Sequence, residues 1–130
     1  MESTHKYARI ERERRFLVEK FPPAANVVGI RHIKDLYIDG TGLRVRKLSE
    51  FGLPTVFKLT QKIPARATGA QQGWITNIYL TADEFAILAR LPGKSLSKTR
   101  HSVPPFGMDV FEGTAGPLSG RSGVRFGCRS

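Results

Sequence analysis

The chain has 130 residues, with 21 Lys or Arg against 11 Asp or Glu, a formal net charge of +10 at pH 7. That length accommodates one domain with a modest core, spanning 1–130, and excludes two ordinary domains. The basic excess directs attention to nucleic acid, an anionic membrane or phosphorylated small molecules.

Cys128 is the only cysteine, so an intrachain disulfide is excluded and a reducing cytoplasm is the simplest expected setting. No apolar run approaches the ~20 residues of a spanning helix, and no signal peptide is apparent. Met1 to Tyr7 reads as a polar lead-in. From Arg9 the pattern has a period of two: Arg9, Glu11, Glu13 and Arg15 fall on one side, while Ile10, Arg12, Arg14, Phe16 and Val18 fall on the other. Two carboxylates at i and i+2 of a strand lie about 7 Å apart, a spacing suited to oxygen ligands sharing a hard cation such as Mg²⁺. Arg15, on the same side, could meet an anion held by that cation. The alternative is a solvated strand face laced with ion pairs.

Pro22-Pro23 ends this pattern, and residues 24–34 are read as a short helix. Ile33 to Ile38 is a strand candidate, and Asp39-Gly-Thr-Gly42 is a turn into a second strand from Leu43 to Leu48. That strand aligns Arg44 with Arg46, and Leu43 with Val45 on its other face. Glu50 to Pro54 is a turn. Phe57 to Lys62 then aligns Lys58, Thr60 and Lys62, with Phe57 and Leu59 opposite. Residues 64–73 lack large apolar side chains and are read as a loop. Trp74 to Leu80 is a strand with Asn77 and Tyr79 on one face and Ile78 and Leu80 on the other. Thr81-Ala-Asp-Glu84 is a capping box opening a helix whose apolar stripe is Phe85, Leu88 and Leu91, stopped by Pro92-Gly93. Residues 95–103, which align Lys98 with Arg100, and residues 107–112 are strands separated by Pro104-Pro105. Glu112 is read as a turn residue. His5, His32 and His101 show no metal-ligand spacing.

Three strands after the first thus repeat one design, a row of cations on one face. Like charges gathered on a surface repel by about 1 kcal/mol per pair at ~4 Å in water, and by more inside a protein. An anionic ligand would offset that repulsion. The economical arrangement is a polyphosphate in a basic groove or tunnel with Glu11 and Glu13 holding a metal over it. The aromatics mostly alternate away from the basic rows, as Phe16 and Phe57 do, which suits packing better than stacking on bases.

Glu11-x-Glu13-x-Arg15-Phe-Leu-Val18 matches a Glu-x-Glu-x-Lys signature. With Leu43-Arg-Val-Arg46, Lys58-Leu-Thr-x-Lys62, Lys98-Thr-Arg100 and Asp109-Val-Phe111 in the same order, the chain resembles the CYTH proteins, the triphosphate tunnel metalloenzymes, over about residues 8–112. That family includes class IV adenylyl cyclases, thiamine triphosphatases and bacterial tripolyphosphatases. The resemblance implies a mainly β (α+β) fold, an antiparallel eight-stranded β-barrel tunnel with charged faces inward and flanking helices outside. It implies Mg²⁺ or Mn²⁺ as cofactor, Glu11, Glu13 and Asp109 as metal ligands, and Arg15, Arg44, Arg46, Lys58, Lys62, Lys98 and Arg100 as phosphate-binding residues. The implied activity is metal-dependent hydrolysis of an inorganic or organic triphosphate. The alternatives are a non-catalytic triphosphate or polyphosphate binder, then an adenylyl cyclase, then an RNA-binding module. The expected partner is a triphosphate-containing small molecule, with neither nucleic acid nor membrane, and a homodimer is compatible with this reading.

Three departures stand against the resemblance. Arg15 replaces the signature Lys with a planar fork. Asn77 lies in a strand where many family members carry acids. Family members usually end the barrel on Glu-Val-Glu-Phe, where this chain has Gly123-Val-Arg-Phe126. Residues 113–130 contain no acid, read as an atypical and poorly ordered tail, and leave the last strand of the barrel in question. Triphosphate binding is therefore better supported than turnover.

Overall fold

The computed structural model describes residues 6–17, 20, 22–65, 71–112 and 124–129, with side chains described for all of these except 12–17, 65, 71–72 and 124–129. The strands are β1 (Arg9–Leu17), β2 (Gly29–Ile38), β3 (Leu43–Glu50), β4 (Val56–Ala65), β5 (Gln71–Leu80), β6 (Gly93–Val103), β7 (Phe106–Glu112) and β8 (Val124–Arg129). One α-helix, α1 (Ala82–Leu88), and a 3-10 turn, Ala24–Asn26, complete the described elements.

All pairings are antiparallel, and the order β1-β5-β4-β3-β2-β6-β7-β8 returns to its start as a barrel. The seam is stepped. β1 pairs with β5 through Arg9–Glu13 and with β8 through Glu13–Leu17, so neither ladder runs its full length. The mainly β, antiparallel barrel that the resemblance implies is the observed architecture.

The period of two decides what lies inside. Opposite α1, the outward side chains Leu36, Ile38 and Val45 are buried together, with Leu43, Leu59, Leu80, Phe85 and Leu88 packed against them. Phe85 reaches down to Phe57, with ring centroids 5.0 Å apart. The helix starts where the capping box requires: Glu84 N donates to Thr81 Oγ1 at 3.1 Å and Thr81 N donates to Glu84 Oε1 at 2.8 Å. Such a cap is worth about 1 kcal/mol, which matters for so short a helix. α1 stops at Leu88, so Leu91 lies beyond the expected stripe and is 43% exposed.

Several expected boundaries are corrected. Residues 24–34 form no α-helix; only Ala24–Asn26 turns, and β2 is already under way at Gly29, paired on both edges. The β-branched Val27, Val28, Ile30 and Ile33 suit that extended course. Of the expected loop at 64–73, Pro64 and Ala65 belong to β4 and Gln71 to Gly73 belong to β5, while residues 66–70 lie outside the description. Gly73 permits that close pairing, since a Cβ there would meet Ile63 O at 2.6 Å. Glu112 is a strand residue that accepts from Thr99 Oγ1 at 2.8 Å. Gly40, at φ 72°, makes the β2–β3 turn that the Asp-Gly sequence predicted. Within the segment read as a tail, residues 113–123 lie outside the description, while Val124–Arg129 pairs with both β7 and β1.

Candidate functional site

Cross-strand register carries the inward face around the barrel. Asp35 stands opposite Arg46, Arg46 opposite Lys58, Arg44 opposite Thr60, and Thr60 opposite Asn77. On the other side Arg31 stands opposite Arg100, Arg100 opposite Asp109, and Asp109 opposite Arg125. Glu11 stands opposite Gly73. Arg44, Arg46, Lys58, Lys62, Lys98 and Arg100 therefore all occupy the face away from α1. Burial agrees with an enclosed interior: Asp35, Arg44, Arg46, Thr60, Lys98 and Asp109 are all buried although charged or polar. Glu13 and Arg15 hold the same register on β1, facing Gln71 and Arg129, and Gly127, respectively, with side chains outside the described set.

The cations differ in how fully they are committed. Arg46 gives Nε and Nη2 to Asp35 at 2.7 and 2.8 Å, a two-point pair with side chains only 4% and 0% exposed. Arg100 does the same with Asp109 at 2.7 and 3.0 Å, and Lys98 Nζ joins that carboxylate at 2.9 Å. Lys62 Nζ reaches Glu11 Oε1 at 3.2 Å. Arg44 gives Nη2 to Thr60 Oγ1 at 3.2 Å, while its buried Nε has no hydrogen-bond partner among the described residues. Aromatics enter this face as well: Lys58 Nζ lies 5.6 Å from the Tyr79 ring centroid and Lys98 Nζ 5.6 Å from that of Phe111.

The electrostatics follow from this crowding. Burial, then neighbouring Arg46, pulls Arg44 below its ordinary value, against partial relief from Asp35 and Tyr37. Lys98 is pushed down to about 8, chiefly by burial and further by Arg100, with Asp109 opposing. Burial acts to raise Asp109, but hydrogen bonding and charge from Arg100, then Lys98, outweigh it and hold the carboxyl below its usual value.

A divalent cation requires carboxylate oxygens that can gather around it. Asp109 is held by Arg100 and Lys98, and Glu11 by Lys62. The register sets Asp109 level with Arg125 and Leu17, well along β1 from Glu11. No group of three His, Cys, Asp or Glu among the described residues could hold a metal ion. In this arrangement Glu11 and Asp109 each act as counter-ion to the cations beside them.

Sequence reasoning missed Asp35. Its strand was read for its apolar residues, although Asp35 alternates with Ile33 and Tyr37 away from buried Leu36 and Ile38, and that alternation was the available signal. Thr60 and Asn77 were placed on strands but not connected. A concavity of about 460 Å³ between Pro22 and Ile30, with His101 at its wall, lies on the outer side of β2 and β6 and contains none of the cations.

No family model and no curated protein matches the chain. Among solved structures it is similar to "The crystal structure of the hypothetical protein NE1496", at 20% identity over 92% of this chain and 75% of that one, with TM-score 0.49. It is likewise similar to "The crystal structure of the inorganic triphosphatase NE1496", at 20% identity over 92% of this chain and 73% of that one, with TM-score 0.48.

Proposed function

We propose that the barrel interior binds a triphosphate, either inorganic or carried on a small organic molecule. One observation carries this reading: the inward face collects Arg44, Arg46, Lys58, Lys62, Lys98 and Arg100, and the buried Nε of Arg44 has no acceptor among the described residues. Leaving a buried donor unsatisfied costs about 1–3 kcal/mol, and a phosphate oxygen would remove that cost. Arg44 and Lys58 would take phosphate oxygens directly. Arg46, oriented by Asp35, would add charge from a fixed position. The carboxylates Asp35 and Asp109 would keep the neighbouring cations in place before the ligand arrives.

Hydrolysis assisted by Mg²⁺ or Mn²⁺ is the second reading, favoured by the Glu11 and Glu13 pattern. A metal, when bound, would polarise the phosphate chain. The chain's own residues would hold the triphosphate and stabilise charge as it redistributes. The ion pairs at Glu11 and Asp109 support binding more strongly than turnover.

The test is a panel of tripolyphosphate, ATP and thiamine triphosphate, assayed for binding in EDTA and for phosphate release with Mg²⁺ or Mn²⁺. Binding in EDTA without release is the expected result for a binder, and release only with metal is the result for a hydrolase. No binding by any of the three would end the triphosphate reading.

A further inference from the structure

Thr60 is fully buried, and its hydroxyl is used twice. It accepts from Arg44 Nη2 at 3.2 Å and donates to Asn77 Oδ1 at 2.7 Å. A guanidinium can only donate, and a threonine hydroxyl carries a single proton. That proton goes to Asn77 Oδ1, so the amide oxygen is turned to the hydroxyl and Nδ2, with its two protons, is directed away from it. Asn77 sits opposite Thr60 in the β4–β5 ladder, on the cationic face, and is exposed there.

The chain Arg44–Thr60–Asn77 therefore ends in donors on both sides. At one end is Arg44 Nε, buried and without a partner among the described residues. At the other is the Asn77 amide nitrogen. The nearby carboxylate, Asp35, is already occupied by Arg46 through both of its oxygens. Two donor ends on one interior face are complementary to an anion, and an amide that donates contributes no positive charge that would require compensation in the empty protein.

We propose that Asn77 is a direct phosphate-binding residue, donating through Nδ2 to an oxygen of the same triphosphate that Arg44 holds, with Thr60 as the positioning residue that sets the amide's orientation. This deepens the triphosphate reading and rests on it. Asn77 makes the site a reader of oxyanions at this point on β5, where a carboxylate would repel them.

The test is calorimetric titration of the full chain with inorganic tripolyphosphate in EDTA at fixed ionic strength. Wild type and Arg44→Ala examine the underlying reading; Asn77→Leu and Asn77→Asp examine this one. Asn77→Leu should weaken binding about tenfold, the loss expected for a hydrogen bond to a charged group. Asn77→Asp, in which a carboxylate can still accept from Thr60, should weaken it further. Asn77→Asp keeps an acceptor for the buried Thr60 hydroxyl and should melt without ligand close to the wild-type temperature. Asn77→Leu leaves that hydroxyl without its acceptor and should melt lower, so all titrations are made at a temperature where every variant is fully folded. Absence of binding by wild type would overturn the triphosphate reading and this inference together. Binding that falls in Arg44→Ala yet is unchanged in Asn77→Leu, or improved in Asn77→Asp, would overturn the role of Asn77 alone.

Discussion

Asp35 and Arg46 face each other across β2 and β3 and are joined at two points, 2.7 and 2.8 Å, inside the barrel. The pair is an interior feature of a face that otherwise collects positive charge. Taking two ions out of water is costly, and the two-point geometry offsets that cost only while both partners are present.

Removing one partner should therefore be severe. Asp35→Ala should lower stability by about 3–5 kcal/mol, the range for an orphaned buried charge. Urea unfolding is the measurement. A loss under about 1 kcal/mol, the scale of an exposed pair, would show that Arg46 does not depend on Asp35.

Arg44 supplies a ligand-linked prediction. Tripolyphosphate at 100 times its Kd should stabilise the fold by about 2.7 kcal/mol through mass action, visible as a rise in Tm. Arg44→Ala should shrink that rise at the same ligand concentration. An undiminished rise would remove Arg44 from the site.

Lys98 has a pH signature. Its ordinary value of 10.5 falls to about 8 in the fold, chiefly through burial. The unfolded chain therefore holds this proton more tightly, so the penalty for the charged form is complete below about 8. Stability is regained as pH rises from about 8 towards 10.5. Relative to Lys98→Met, which cannot titrate, the wild type should gain stability across that window. A difference that stays flat from pH 7 to 10 would contradict this. Over the same window the loss of the Lys98 charge should weaken tripolyphosphate binding.

The last strand gives a prediction about turnover. Arg125 stands opposite Asp109 on one side and Leu17 on the other, at a position where the resemblance expects an acid. Changing Gly123→Glu together with Arg125→Glu should produce Mg²⁺-dependent release of phosphate from tripolyphosphate. If the unaltered chain already releases phosphate as fast as the double variant, the basic substitution in this strand does not limit catalysis.

Much of the interior was legible because charge and alternation coincide. Arg44/Arg46 and Lys58/Lys62 alternate with Leu43, Val45 and Leu59, which pack beneath α1, whereas Lys98/Arg100 alternate with Ser97, Thr99 and His101 and were legible from their charge alone. The individual ion pairs were not legible. Asp35 meets Arg46, and Asp109 meets both Arg100 and Lys98, because of ladder registers that no local pattern encodes. The relation of Asn77 to Thr60 had the same character, since it depends on how β4 slides against β5. Ile33–Ile38 reads as strand, but Gly29–His32 is assigned to the expected helix because a short mixed segment carries little periodicity of its own. Pairing with β3 and β6 on both edges holds it extended.

The stepped seam has a consequence for how the molecule is made. β1 is the first strand and β8 the last, and Glu13 stands opposite Arg129 where the two meet. The β2–β3, β3–β4 and β4–β5 hairpins can assemble as their own segments emerge, at low loop-closure cost. The ring itself waits for the final strand. Until then the cationic lining is open to solvent along one side, and β1 presents an unpaired edge over its second half. Ring closure is thus the most non-local event in folding and the one expected to set its rate. A polyanion present at that stage would favour the closing ring by screening the charges it must bring together.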